Sequence, residues 1–143
     1  STNAADYESF IKINKPKYDD SWERWNRTLD MLKNLDTRTV LRITLIRDYN
    51  DQKEMIPAFA DMFRKASPHF IEIKSYMHIG RSTNRLEHEN MLEMHEVKKF
   101  SEEIAKQSKI FSIMDESLVS RISILQNNER FIDRWIPAYS NTN

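Results

Sequence analysis

Two β-branched segments with the same one-sided alternation constrain this chain most. In 39–47, TVLRITLIR, Leu41, Ile43 and Leu45 fall on one side of an extended strand, and Arg42 and Thr44 on the other. In 70–77, FIEIKSYM, Ile71, Ile73 and Ser75 share one side, and Glu72, Lys74 and Tyr76 the other. A segment of helical spacing lies between them. Met55, Phe59, Met62 and Phe63 form its apolar stripe, Pro57 is tolerated in its first turn, Asp51 is placed to cap it, and Ser67-Pro68 ends it. A strand–helix–strand succession needs a crossover connection, so the two strands are expected to run parallel. Parallel strands covered on both faces read as apolar on both. Strands apolar on one face only fit a barrel wall instead, with helices outside and a cavity inside at the carboxyl ends of the strands. The expected fold class is therefore α/β: partial TIM-like (β/α) barrel units with mainly parallel strands, plus a small C-terminal extension.

Enclosing Arg42, Thr44, Glu72, Lys74 and Tyr76 is costly unless they are paired or wet. They are expected to line a substrate or cofactor cavity. The plainer alternative is a half-exposed antiparallel strand with a polar outer face. Arg42 and Lys74 suit a carboxylate or phosphate, and Tyr76 suits a hydrogen bond or a stacked base. A desolvated Lys74 would be a Schiff-base amine, but Glu72 beside it favours the ammonium form. A structural pair of Lys74 with Glu72 or another carboxylate is thus expected over a catalytic amine, with Lys74 and Glu72 kept as catalytic candidates.

The rest of the chain reads as follows. Asp19, Asp20 and Ser21 are cap candidates for a helix over 22–35, with Trp22, Trp25, Leu29 and Leu32 inward and Met31 and Leu35 widening the stripe. A helix over 91–107 turns Met94, Val97, Phe100, Ile104 and Ala105 inward. Short strands are expected at 110–114 and 120–125, Asp115-Glu116 at a surface turn, a last helix or strand at 131–136, and a polar tail at 137–143. Residues 1–6 read as strand or loop, and 7–14 lead to an extended break at Lys15-Pro16. The expected division is 1–90 as the later βα units and 91–143 as a C-terminal extension, in one compact unit.

Composition narrows the function. Lys plus Arg and Asp plus Glu are 22 each, so no global field favours nucleic acid or a membrane. A local basic loop, Arg81–Arg85, follows the second strand and, with Lys98, Lys99 and Lys106 on the next helix, could track RNA phosphate. On charge alone a solvated helix face is favoured, since Glu102 and Glu103 are interleaved. No run approaches the ~18 apolar residues of a membrane helix, and no signal peptide opens the chain, so a cytoplasmic location with no membrane partner is expected. The chain has no cysteine, which removes disulfides, thiolate nucleophiles and thiolate-held metal clusters from its own residues. Its single glycine, Gly80, precludes a glycine-rich phosphate loop and hints at part of a larger unit. His88 and His95 stand among Glu87, Glu89, Glu93 and Glu96 without any established metal spacing, so no metal site is expected.

At the level of motifs, KINKP, SWERW, TRTVLRITLI, PHFIEIKSYMHIGRSTNRLEHENM and MHEV together resemble the C-terminal half of the radical-SAM enzymes that build the tricyclic wyosine base in tRNA, the archaeal 4-demethylwyosine synthases above all. The resemblance spans nearly the whole of 3–125. It implies a tRNA-modifying lyase that condenses N1-methylguanosine in phenylalanine tRNA with carbons from pyruvate, using S-adenosylmethionine and [4Fe-4S] chemistry. It further implies that the cluster cysteines lie in a missing N-terminal half, so that this chain alone is inactive. Arg42, Glu72, Lys74, Tyr76, Gly80, Ser82, Arg85, Glu89 and Asn90 fall on positions shared with that family. Arg42, Thr44, Glu72, Lys74 and Tyr76 are then the expected cofactor and substrate contacts, and Arg81, Ser82 and Arg85 the RNA contacts. The stretch Ser117-Leu118-Val119 before Ser120-Arg121 departs from the family's His-Glu-Pro, and Leu92 replaces a proline. Two rival readings remain: an aldolase-like barrel with Lys74 as the Schiff-base amine, and a non-catalytic tRNA-binding module. An uncovered sheet edge would also favour a homo-oligomer.

Overall fold

The computed structural model describes residues 1–136, and the expected tail over 137–143 lies outside them. A short helix α1, Tyr7–Ser9, runs into a π-helix, Phe10–Asn14. Helix α2 spans Ser21–Leu32, β1 Val40–Leu45, α3 Ile56–Ala66 and β2 Phe70–Ser75. Two 3-10 turns, Gly80–Asn84 and His88–Asn90, lead to α4, Met94–Ser108, and then to β3, Phe111–Ser117, and β4, Ile122–Asn127.

The four strands form one sheet in the order β1-β2-β4-β3. β1 and β2 are parallel, with Arg42 opposite Glu72 and Thr44 opposite Lys74. β4 is antiparallel to both β2 and β3. The expectation of mainly parallel strands is therefore corrected: the sheet is mixed, and the described strands do not close a barrel. The hairpin explains this. A short turn can only return a strand antiparallel, and β4, not β3, takes the free edge of β2.

One face of the sheet is apolar and covered. Ile43, Leu45, Ile71, Ile73 and Leu125 are fully buried against Phe59 and Phe63 of α3 and Val97 and Ile104 of α4. The opposite face carries Arg42, Thr44, Glu72 and Lys74. α3 has the expected stripe, and Ser67 ends it in a left-handed conformation (φ 41°) with its N–H donated to the Phe63 carbonyl. α4 begins later than expected, at a reciprocal Glu93–Glu96 capping box.

Several local expectations are corrected. Asp51 does not cap α3; its carboxylate accepts the Asp48 N–H, and a 3-10 turn over Lys53–Met55 precedes the helix. α2 stops at Leu32, leaving Met31 62% and Leu35 41% exposed, because Leu29 alone of its residues reaches the core fully. Asp20 starts α2 but gives its carboxylate to Arg24, i,i+4, instead of to a backbone N–H. Asp115 and Glu116 lie in β3, at a bulge, and pair with Arg134 and Lys98. Residues 131–136 form neither helix nor strand.

The turn after β1 is fastened to the segment before α4. Arg47 donates to the carbonyls of Glu89 (3.0 Å) and Met91 (2.9 Å) and grips both carboxylate oxygens of Glu96 (2.6 and 2.7 Å). That hydrogen-bonded guanidinium holds the Glu96 carboxyl below the usual carboxylate range. A carboxyl whose pKa is depressed by folding stabilises the fold above its unfolded value and ceases to do so as pH falls through the folded value. E96Q is therefore expected to lower stability by about 1 kcal/mol at pH 7. The difference from the parent should shrink as pH falls through the lowered folded-state value of Glu96, in urea melts taken across that range.

Candidate functional site

A cavity of about 440 Å³ opens at the carboxyl ends of β1 and β2, a size that takes a small molecule or a nucleobase. Its floor is built by the strand ends. Thr44 and Lys74 reach it from the polar sheet face, and Ser75, Tyr76 and Met77 from the chain leaving β2. Ser75 is fully buried and acts as a junction: its Oγ accepts the Leu92 N–H (2.9 Å) and donates to the Tyr76 carbonyl (2.9 Å), while its N–H is donated to the Arg121 carbonyl (3.0 Å). Tyr76 is buried beside Ile46 and Leu86, and its hydroxyl lies 3.2 Å from His78 Nδ1.

The 3-10 turn Gly80–Asn84 forms one side and delivers Ser82 and, just beyond it, Arg85. Gly80 opens that turn at φ 63°, a left-handed conformation that glycine adopts without strain. The facing side comes from the N-terminal segment. Thr2 donates its N–H to the Arg42 carbonyl (2.8 Å) and makes a parallel bridge to Ile43 on the outer edge of β1. Asn3 is held by Asn50, a fully buried side chain that donates to the Asn3 and Thr44 carbonyls and accepts the Ile46 N–H. The π-helix that follows presents Lys12, 5.6 Å from the centre of the Tyr49 ring. Lys15 ends it at φ 47°.

The electrostatics are one-sided. Among the described residues, Lys12, Lys15, Lys74 and Arg85 line the cavity and no carboxylate does. In a chain with as many acids as bases, that is a concentration of one sign. A second cavity of about 330 Å³, between α3 and the start of α4, mixes Asp51, Glu96 and Glu103 with Lys53, His95 and Lys99. Burial there pushes the Asp51 carboxyl up, which disfavours an anion at that place.

Five of the residues singled out from the sequence meet in the main cavity: Thr44, Lys74, Tyr76, Ser82 and Arg85. Arg42 and Glu72 do not line it. They pair with each other (Arg42 Nε to Glu72 Oε1, 2.9 Å), two residues nearer the amino ends of their strands. The expected Lys74–Glu72 pair is thus replaced by Arg42–Glu72, and among the described residues Lys74 makes no ion pair. Arg81 is exposed and outside the lining. Asn90 holds the loop, donating to the Arg47 carbonyl and accepting the Glu87 N–H. Glu89 offers only its carbonyl, to Arg47. Lys12 and Lys15 were not legible as site residues, because a π-helical turn repeats at neither 3.6 nor 2 residues. Their presence three apart just before a proline was the available signal.

Residues 65–127, which contain β2, both 3-10 turns, α4 and the hairpin, match the family described as wyosine base formation. That segment is therefore similar to a wyosine base formation domain. It is 41% identical over 135 residues to the S-adenosyl-L-methionine-dependent tRNA 4-demethylwyosine synthase of Methanocaldococcus jannaschii, covering 93% of this chain and 41% of that protein. With the enzyme of the same name from Pyrococcus abyssi the identity is 35%, over 90% of this chain and 37% of that one. A solved structure, described as TYW1 with a lysine-pyruvate adduct bound, superposes with a TM-score of 0.81 at 39% identity, covering 92% of this chain and 40% of that one. The chain thus spans about two-fifths of the length of these relatives, and the matched residues 65–127 supply about half of the cavity wall. The other half, Asn3, Lys12, Ile13, Lys15, Thr44 and the Ile46–Tyr49 corner, lies before residue 65.

Proposed function

We propose that this chain is part of a tRNA 4-demethylwyosine synthase, a tRNA-modifying lyase, and that its acid-free cavity receives the anionic groups of the reaction partners. The observation that carries this is the convergence of Lys12, Lys15, Lys74 and Arg85 at the carboxyl ends of two parallel strands, with no carboxylate among the lining residues. Arg85 suits a bidentate grip on a carboxylate or phosphate, and the lysines act as point charges around it. Pyruvate carries one such carboxylate, S-adenosylmethionine another, and the tRNA backbone its phosphates. The Tyr76 ring and the Ile46–Tyr49 wall give the same cavity an apolar side against which a guanine ring can pack.

S-adenosylmethionine supplies the radical-forming chemistry of such an enzyme when bound, and its carboxylate matches these cations. An iron–sulfur cluster does not fit this donor set, since the sequence has no cysteine. Its ligands would belong to the remainder of the enzyme, and no step assigned to this chain passes through it. What these residues do is bind, orient and enclose: Thr44 and Lys74 fix the floor, Ser82 and Arg85 the outer side, and Lys12 and Lys15 the N-terminal side. Arg42 and Glu72 continue the polar face below the floor.

Expressed as part of the complete protein in cells deprived of their own synthase, the chain is expected to restore 4-demethylwyosine to phenylalanine tRNA, read by nucleoside mass spectrometry. A complete protein that is folded and loaded with its cofactors, yet yields only N1-methylguanosine, would remove this reading.

A further inference from the structure

We propose that the tip of the β3–β4 hairpin is an apolar wedge that enters the base stack of the bound RNA and helps hold the target nucleobase towards the cavity. The proposal rests on the reading of this chain as part of a tRNA-modifying enzyme. Leu118 and Val119 form the tip and are 72% and 93% exposed. Scattered apolar residues on a surface need no explanation, but an adjacent pair at the end of a hairpin is poorly placed for solubility. Neither takes part in the two core clusters.

The tip stands at the cavity's end of the sheet. Ser75, in the cavity wall, donates its N–H to the carbonyl of Arg121, two residues after Val119. The tip is also braced. The Arg121 N–H closes the turn on the Leu118 carbonyl (3.2 Å), and Arg121 itself is left-handed at φ 49°. The Arg121 guanidinium is tied to the Leu92 carbonyl (3.1 Å) and to the Glu93 carboxylate (3.2 Å), just ahead of α4. Ser117 Oγ accepts the Ser120 N–H. The two apolar side chains are therefore held out on a fastened turn, close to a cavity lined by four cations and no acid.

That pairing of chemistries selects the occupant. A protein surface complementary to the cations would be acidic and would gain little from two water-exposed aliphatic groups. RNA offers both complements at once: phosphates for the cations, and flat apolar base faces for the tip. A base can enter a closed pocket only after leaving its stack, and aliphatic wedges that fill the vacated step are a general way to offset that cost.

The test uses the full-length synthase and a tRNA substrate carrying 2-aminopurine beside the target guanosine. Binding of the parent protein is expected to raise the fluorescence, as the neighbour unstacks. A double variant, Leu118→Ser with Val119→Ser, is expected to lose most of that rise and to bind about tenfold more weakly, with the melting temperature and the salt dependence of binding unchanged. Val119→Met, which keeps an aliphatic tip, is expected to retain the rise. A double variant with the parent's fluorescence and affinity would overturn the wedge. So would one that lowers the melting temperature or dissociates an oligomer, since the tip would then be covered by protein. A companion variant, Lys12→Ala with Lys15→Ala, is expected to flatten the slope of log affinity against log salt by about one per residue. If that slope is unchanged, the reading of the cavity as an RNA site fails by itself, whatever the tip does.

Discussion

Replacing Lys74 and Arg85 together by alanine is expected to lower 4-demethylwyosine formation by about a hundredfold or more in the full-length synthase. Each would contribute a charge-assisted hydrogen bond to an anion in a partly enclosed cavity, worth ~1.5–3 kcal/mol, and a hundredfold in rate is about 2.7 kcal/mol. The fold should be indifferent to the change. Neither side chain makes an ion pair among the described residues, and both line the cavity, Lys74 at its floor and Arg85 at its outer side. The discriminating readouts are the melting temperature, expected within a degree or two of the parent's, and single-turnover product measured by mass spectrometry. Undiminished product with both cations removed would mean that the anions of the reaction are held elsewhere.

Phe59→Ala is expected to remove about a third or more of the stability of a typical domain of this size. Phe59 is fully buried on α3, its ring stacked 6.1 Å from that of Phe63 and edge-on at 5.9 Å to that of Phe100 on α4. It thus joins the two helices that cover the sheet. Truncating a buried phenylalanine costs ~3–5 kcal/mol through lost transfer energy and the cavity left behind, against a total stability of about 5–15 kcal/mol for a typical domain. Urea denaturation followed by circular dichroism measures the loss. Phe59→Leu, which keeps most of the volume, should cost less than about 1.5 kcal/mol. Equal effects from the two variants would show that the site collapses around the missing ring.

The sequence by itself determined the elements whose signal is periodic. Alternation at 39–47 and 70–77 marked β1 and β2, with their apolar and polar faces correctly assigned, because a strand puts successive side chains on opposite sides wherever it sits. The stripe Met55, Phe59, Met62 and Phe63 marked α3 for the corresponding reason. Thr44, Lys74 and Tyr76 followed from that alternation, whereas Arg85 was singled out as part of a basic loop and Ser82 by the family resemblance alone.

Tertiary structure decided what depends on partners distant in sequence. Glu72 pairs with Arg42, not Lys74, because the parallel register sets Arg42 directly opposite it. Residues two apart along a strand stand farther from each other than a facing cross-strand pair. Only packing placed β4 beside β2, making the sheet mixed, since a hairpin's own sequence does not state which of its strands will find an open edge. The π-helical segment that brings Lys12 and Lys15 to the cavity has no pattern of its own to read. Its position follows from Thr2 on the edge of β1 and Asn3 in the grip of buried Asn50, contacts that exist only once the chain has folded.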